Sequence, residues 1–519
     1  MSLGAHNSSR WGSVFSGLVE RSLRTSQALA RDNANAPAAL RPHLESMLNQ
    51  VEWGYRLDPA LSAALLLQLD PWPARWGLLD LWSTQLERAL HRLPTHHPLT
   101  SQLSAALADV YCQLGRLEEA CQIASELLND ENLAPGNYAD LVFRCGGVWV
   151  STLLRLGQME QARQVSQQLS ARLEAAAARI SSLQLVNARA VLALQSALIA
   201  RHQGRHSTAI EIMNSAIRDV AAAQGFDRYF LSDLLENRAV FYWAQSQYQA
   251  ALDDLQTIQT KYITAEDALL MASLHGNRGL IYWGMHRFSD AEAELHQAIA
   301  FTEKSKAIYL LMKQVGNLGI ICMSRGDLPN ALTYIARQLE LAEIVNDDHE
   351  KLMAHCNQAI TLAFAGHPNQ ALPELLAAIQ NYEKQARTEP LACACLDLAT
   401  CYYFLGERAL SATTAQKAFD LIEKNDYAQL RVIALRGQAL NREPAAAREM
   451  LQQALSLARE NGRRLDEAGC LLWLAHLTLD TLQREAHWQA GVQILTDIGA
   501  EQWAQGKSAG DPVFVPLFM

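Results

Sequence analysis

The chain has 519 residues, half of them hydrophobic, and 44 Lys and Arg against 54 Asp and Glu give a formal net charge of −10. An acidic chain whose longest basic run is the pair Arg463-Arg464 lacks the clustered cations that neutralise phosphates, so nucleic acid is excluded as an expected partner. Nine scattered cysteines without a CxxC pair are expected to be reduced and buried, since even the cluster Cys393, Cys395 and Cys401 fits no zinc spacing.

The first segment, 1–37, is Ser-rich and has no signal-peptide core. Trp11, Phe15, Leu18 and Val19 fall at helical spacing there, with Arg21 and Arg24 nearby. They predict one amphipathic helix, folded onto its own chain or docked on a partner. Residues 38–100 read as three helices, 44–55, 59–69 and 73–93, which concentrate Trp53, Trp72, Trp76 and Trp82. An aromatic-rich cap closing the next segment accounts for them. The longest apolar stretch, 60–69, is too short to cross a bilayer. A cytoplasmic protein with no membrane partner is expected.

Residues 101–463 repeat. One small residue recurs as Ala120, Ala162, Ala209, Ala251, Ala291, Ala331, Ala371, Ser411 and Ala447, at intervals close to 40 residues. Five residues earlier stands a glycine in six units: Gly115, Gly157, Gly204, Gly326, Gly366 and Gly406. Nine residues earlier lies Tyr111, Tyr242, Tyr282, Leu362 or Tyr402. Seven residues later comes another alanine, such as Ala216, Ala298, Ala378, Ala418 or Ala454. The glycine serves a tight interhelical turn, and the small residues let antiparallel helices approach closely. One hairpin cannot bury both faces, so neighbours must stack into a solenoid. The expected fold is all-α, a right-handed superhelix of about nine hairpins. Residues 464–505 read as a capping hairpin and 506–519 as an extended apolar tail.

Segments such as 277–298 (NRGLIYWGMHRFSDAEAELHQA) resemble the tetratricopeptide repeat, although Ser246 and His286 replace the turn glycine. The period near 40 is similar to the longer-helix variety of kinesin light chains, bacterial quorum-peptide receptors and the sensor regions of STAND regulators. The run from 43 into the 80s is similar to the opening of those sensor regions, without their NTPase. The resemblance implies a non-catalytic scaffold that binds a protein or extended peptide in its concave groove. The alternative it leaves open is a regulatory sensor that controls a separately encoded effector, such as an NTPase, a protease or a transcription factor.

Catalytic motifs do not emerge. Gly506-Lys507-Ser508 has the ending of a P-loop, but Glu501 stands where the first glycine is required. His202 and His206 have the spacing of a metal pair, yet Gly204 between them marks a turn, expected to be solvated. No catalytic residue, metal or cofactor is expected.

The most informative pattern for binding is Asn237, Asn277, Asn317 and Asn357, at 40-residue intervals on the first helix of successive hairpins. Gln195 precedes this series and Asp397 follows it. The pattern resembles the asparagine ladders by which O-linked N-acetylglucosamine transferase and kinesin light chains hold peptides. An amide donates and accepts, so it can pair with a peptide backbone of any sequence. The other reading is that each Asn bonds a neighbouring helix. Six residues on come Trp243, Trp283, Met323, Ala363 and Tyr403, either as apolar pockets beside the ladder or as packing between hairpins.

Overall fold

The computed structural model describes residues 17–22, 24, 40–94, 97–203, 205–262, 267–305, 307–345, 347–385, 387–425, 427 and 430–516. The expectations on Trp11, Phe15, Gly204 and residues 517–519 lie outside them. From Thr100 onward the chain runs as ten antiparallel hairpins. The first is Thr100–Gln113 with Leu117–Leu128. In the second, a π-turn at Val142–Gly146 joins Pro135–Leu141 to Gly147–Arg155, and Met159–Ala176 returns. Hairpins three to five are Ser182–His202 with His206–Ala222, Arg228–Ala244 with Tyr248–Lys261, and Ala268–Gly284 with Phe288–Ser305. Hairpins six to eight are Ile308–Arg325 with Leu328–Val345, Asp348–Phe364 with Pro368–Lys384, and Thr388–Phe404 with Arg408–Lys424. Arg431–Ala439 with Pro444–Glu460 and Arg464–Leu477 with Thr481–Asp497 complete the set. No strand occurs among the described residues. The fold is an all-α superhelical solenoid.

The small residues make the hairpins possible. Ala120, Ala162, Ala209, Ala251, Ala291, Ala331, Ala371 and Ser411 are all fully buried. Ser411 has a hydroxyl to satisfy, and it donates to the Ala399 carbonyl at 2.6 Å. On the facing helices, a Cβ added at Gly279 would lie 2.8 Å from Leu295 Cγ, and one at Gly319 would lie 2.9 Å from Ile335 Cγ1. Neither neighbour has room to yield. Gly319→Val is therefore expected to cost about 1–3 kcal/mol through overpacking, read as a lowered urea midpoint with an unchanged slope. The hairpin turn itself demands a left-handed residue. Gly326 adopts it at φ +86°, and Ser246 and His286 adopt it at +58° and +57°. The turn geometry thus persists where glycine is lost, at roughly 1–2 kcal/mol per side chain.

The ends are closed by caps. The predicted helix 73–93 is instead two, Trp72–Arg75 and Leu79–Arg92. Gly77 at φ +81° ends the first with a left-handed residue, and Leu78 N–H bonds back to the Pro73 carbonyl. Trp82 is fully buried and donates to Asp70 Oδ1 at 3.0 Å, whereas Trp53 is largely exposed. Val19 is buried and Ser22 Oγ donates to Gln50 Oε1, so the early helix rests on Leu44–Gly54. At the far end Trp503 donates from Nε1 to the Ser324 carbonyl, and Arg325 Nε donates to the Gly499 carbonyl. Residues 512–516 form no helix, with Val513 and Val515 buried and Phe514 packed against Tyr403, Phe404 and Trp473.

The superhelix winds tightly enough for its coils to touch. Arg155 Nη2 of hairpin two reaches Asp347 Oδ2 at 3.1 Å, 192 residues further on, and its guanidinium lies 4.0 Å over the Tyr309 ring. A Cβ at Gly115 would meet Val345 at 2.9 Å. One helix among the described residues, Ser182–His202, is long and apolar enough to cross a membrane. Here it is the first helix of hairpin three and buries Ala188, Leu192 and Gln195 against its neighbours.

Candidate functional site: a cavity between the coils

Contact between coils forms an open cavity of about 790 Å³, lined mainly by first helices and by residues from hairpin two to hairpin ten. One wall is aromatic. The Trp243 and Trp283 rings lie 6.3 Å apart at 38°, and Trp283 Nε1 donates to Ser324 Oγ at 2.8 Å. Gly284 leaves the space for this, since a Cβ there would lie 3.0 Å from Trp243 Nε1. Tyr309 faces the same space between the Arg155 guanidinium and Lys313.

Amides form a second wall. Asn317 and Asn357 line the cavity, and neither side chain hydrogen-bonds a described residue. Gln338, packed against Gly316, also lines the cavity and is buried, with Oε1 left without a donor. Such a group is costly to bury unsatisfied.

The third wall is charged. Lys313 is 3.8 Å from Glu350, and Arg463 Nε bonds Asp466 at 2.6 Å. The Arg387 guanidinium donates to His349 Nδ1 at 2.6 Å. Burial, and then Arg387, push the His349 ring down to about 3, which keeps it neutral and able to accept. Burial, then Arg201, then Arg387 bring His202 down to about 4. His202 and His206 line the cavity at a turn that is itself open to solvent, with His202 exposed and His206 half-buried. No group of three metal-binding side chains occurs among the described residues.

The predicted ladder divides. Asn317 and Asn357 reach the cavity. Asn277 Nδ2 donates instead to Glu236 Oε1 of the preceding hairpin at 2.9 Å, and Asn237 Nδ2 donates to the Asp233 carbonyl of its own helix at 2.8 Å. Gln195 and Asp397 are buried, each with one oxygen lacking a donor. Of the side chains beside the ladder, Trp243 and Trp283 line the cavity. Met323 is buried, its sulfur accepting from Thr361 Oγ1, and Ala363 is also buried. Tyr403 belongs to the cluster around Phe514. Tyr309, His349 and Glu389, which no sequence motif singles out, all line the cavity. They too stand 40 residues apart, so the spacing that marks the asparagines would also find them, two turns earlier on each helix.

Residues 309–384 match the family model described as tetratricopeptide repeat. A search of curated protein sequences gives no match. Among solved structures, the chain is similar to a Rap protein complexed with Competence and Sporulation Factor. That likeness has a TM-score of 0.52 at 13% identity and covers 71% of this chain and 99% of that one. It is also similar to the apo quorum sensor NprR from B. thuringiensis, with a TM-score of 0.45 at 16% identity, covering 68% of this chain and 97% of that one. NprR in complex with its cognate peptide NprX gives 0.43 at 14% identity, with coverage of 61% and 95%. The chain is a helical solenoid, and residues 309–384 within it are of the tetratricopeptide-repeat type.

Proposed function

We propose that the protein is a peptide-binding scaffold whose ligand lies in the cavity between the coils. The observation that carries this reading is the wall chemistry. A cavity of about 790 Å³ sets the indoles of Trp243 and Trp283 beside two amides, Asn317 and Asn357, that bond no described residue. Apolar surface with a few convergent polar groups is what ligand sites of this size present. An amide that both donates and accepts fits the backbone of an extended chain. The Rap protein of similar fold was solved with Competence and Sporulation Factor bound, which is consistent with this use of a shared architecture, although fold alone does not assign function.

The purified protein should select binders from a library of random octapeptides, and the best of them serves as the probe. Asn317→Ala with Asn357→Ala removes two neutral hydrogen bonds at about 0.5–1.5 kcal/mol each, so affinity by fluorescence anisotropy should fall roughly five- to 150-fold. The melting midpoint of the free protein should not move, because neither amide bonds a described residue. A library that yields no binder, or a double variant that binds as tightly as wild type, refutes the cavity as the peptide site.

A further inference from the structure

The chain carries a net charge of −10, yet its cavity wall is cationic. Arg155, Arg201, Lys313, Arg387 and Arg463 line it against Glu350, Glu389 and Asp466. Three of the cations are matched: Arg155 by Asp347, Lys313 by Glu350 and Arg463 by Asp466. Arg201 and Arg387 are different. Arg387 donates to the neutral His349 ring, and Glu350, Asp347 and Glu389 reach it through their field. Arg201, at the end of Ser182–His202, makes no hydrogen bond or ion pair with a described residue, and Glu389 reaches it only through its field. His206 lines the same cavity with both ring nitrogens buried and without partners. Both guanidiniums line the same cavity as His202 and His206, and the field of each reaches His202, although they are 186 residues apart in sequence.

A guanidinium withdrawn from bulk water is stable when a fork of donors meets an anion's oxygens, and Arg does this with two parallel bonds where Lys offers a point charge. We propose that Arg201 and Arg387, with His202 and His206 beside them, form a binding site for one oxyanion, a carboxylate of the cavity's peptide or a free phosphate. The peptide carboxylate as source rests on the peptide-binding function proposed for the cavity. The site itself does not. Because Arg201 comes from hairpin three and Arg387 opens hairpin eight, an anion held there also ties two coils of the superhelix together.

Two fluorescein-tagged pools of random octapeptides test this, one with a free C-terminus and all residue types, the other amidated and lacking Asp and Glu. Inorganic phosphate is titrated separately against the melting midpoint. Each probe is applied to wild type, Arg201→Gln, and Arg387→Lys, which keeps a charge where Gln would endanger the His349 contact. Circular dichroism melts confirm that each variant folds. Wild type should retain the carboxylate-bearing pool at least about tenfold better than the neutral one, as charge-assisted bonds require. Arg201→Gln should abolish that preference, and Arg387→Lys should weaken it. Loss of preference in the variants supports the site with the peptide as source. A phosphate-dependent rise in midpoint that Arg201→Gln removes, with neither pool retained, supports the site with a free anion as source and sinks the peptide reading. Equal retention of both pools, with no response to phosphate, leaves peptide binding standing and overturns the anion site. No response to any probe overturns both.

Discussion

Replacing Arg436 by alanine is expected to cost about 3–5 kcal/mol, the range for removing one partner of a buried ion pair, and to release the C-terminal tail. The Arg436 and Asp466 side chains are each 6% exposed and directly bonded. Arg436 also donates to the carbonyls of Val515 at 2.6 Å and Pro516 at 3.3 Å. Gly469 makes room for it, since a Cβ there would lie 2.6 Å from Nη2. Burial alone would raise the Asp466 carboxyl, but Arg463 and Arg436 outweigh it and hold it below its ordinary value. The pair therefore stabilises the fold above the carboxyl's unfolded pKa and weakens as acid protonates it. Alanine leaves Asp466 with Arg463 alone and strips two tail carbonyls of their donor. Urea denaturation followed by tryptophan fluorescence checks the loss, and proteolysis before 512 checks the release. Arg436→Lys should recover only part of it, because an ammonium lacks the fork that serves carboxylate and carbonyls together. An unchanged midpoint in the alanine variant would show that the tail and cap hold without this residue.

The hairpins are legible in the sequence because each obeys a local rule. A fully buried Ala251 or Ala331 marks where two helices touch, and Gly326 marks the left-handed turn before it. The 40-residue interval carries this from unit to unit, so the solenoid follows from stacking alone. Local rules do not encode how far the coil closes. That depends on a small rotation added at each repeat, and only its sum brings Arg155 to Asp347 or Arg201 near Arg387. The cavity is illegible for the same reason, and with it the fact that His202 and His206 line it. The ladder shows the same limit. Identical spacing puts an asparagine at one site on each first helix, but the helix curves past different neighbours, so Asn277 meets Glu236 while Asn317 meets open space. The cap helix departs from expectation for a smaller reason. The expected helix 73–93 breaks at Gly77, whose φ of +81° is not helical.

Asp397 should lower stability as pH rises from about 4 to about 8, against the opposite pull of lowered histidines such as His349 and His202, and Asp397→Asn should remove that fall. Asp397 sits on Thr388–Phe404, nearly buried, with Oδ1 accepting no hydrogen bond. Burial alone pushes its carboxyl up to about 8, whereas the unfolded chain ionises near 3.8. The folded state keeps its proton across neutral pH and the unfolded state does not. Stability from this group is thus complete below the unfolded value and is lost as pH climbs through the folded one. The loss is on the order of a few kcal/mol, since each tenfold change in acidity corresponds to about 1.4 kcal/mol and local relaxation takes up part of it. Asparagine has the shape of a protonated aspartic acid and does not titrate. Other carboxyls contribute to the wild-type profile, as burial pushes Asp109 to about 6 and Asp233 to about 7, so the useful quantity is the difference between the two proteins. Melting midpoints of wild type and Asp397→Asn at pH 5, 6.5 and 8 should diverge, with the variant gaining most at pH 8. Two curves that run parallel would mean that Asp397 ionises as easily folded as unfolded, and that the residue continuing the asparagine series is a charged group able to reach water.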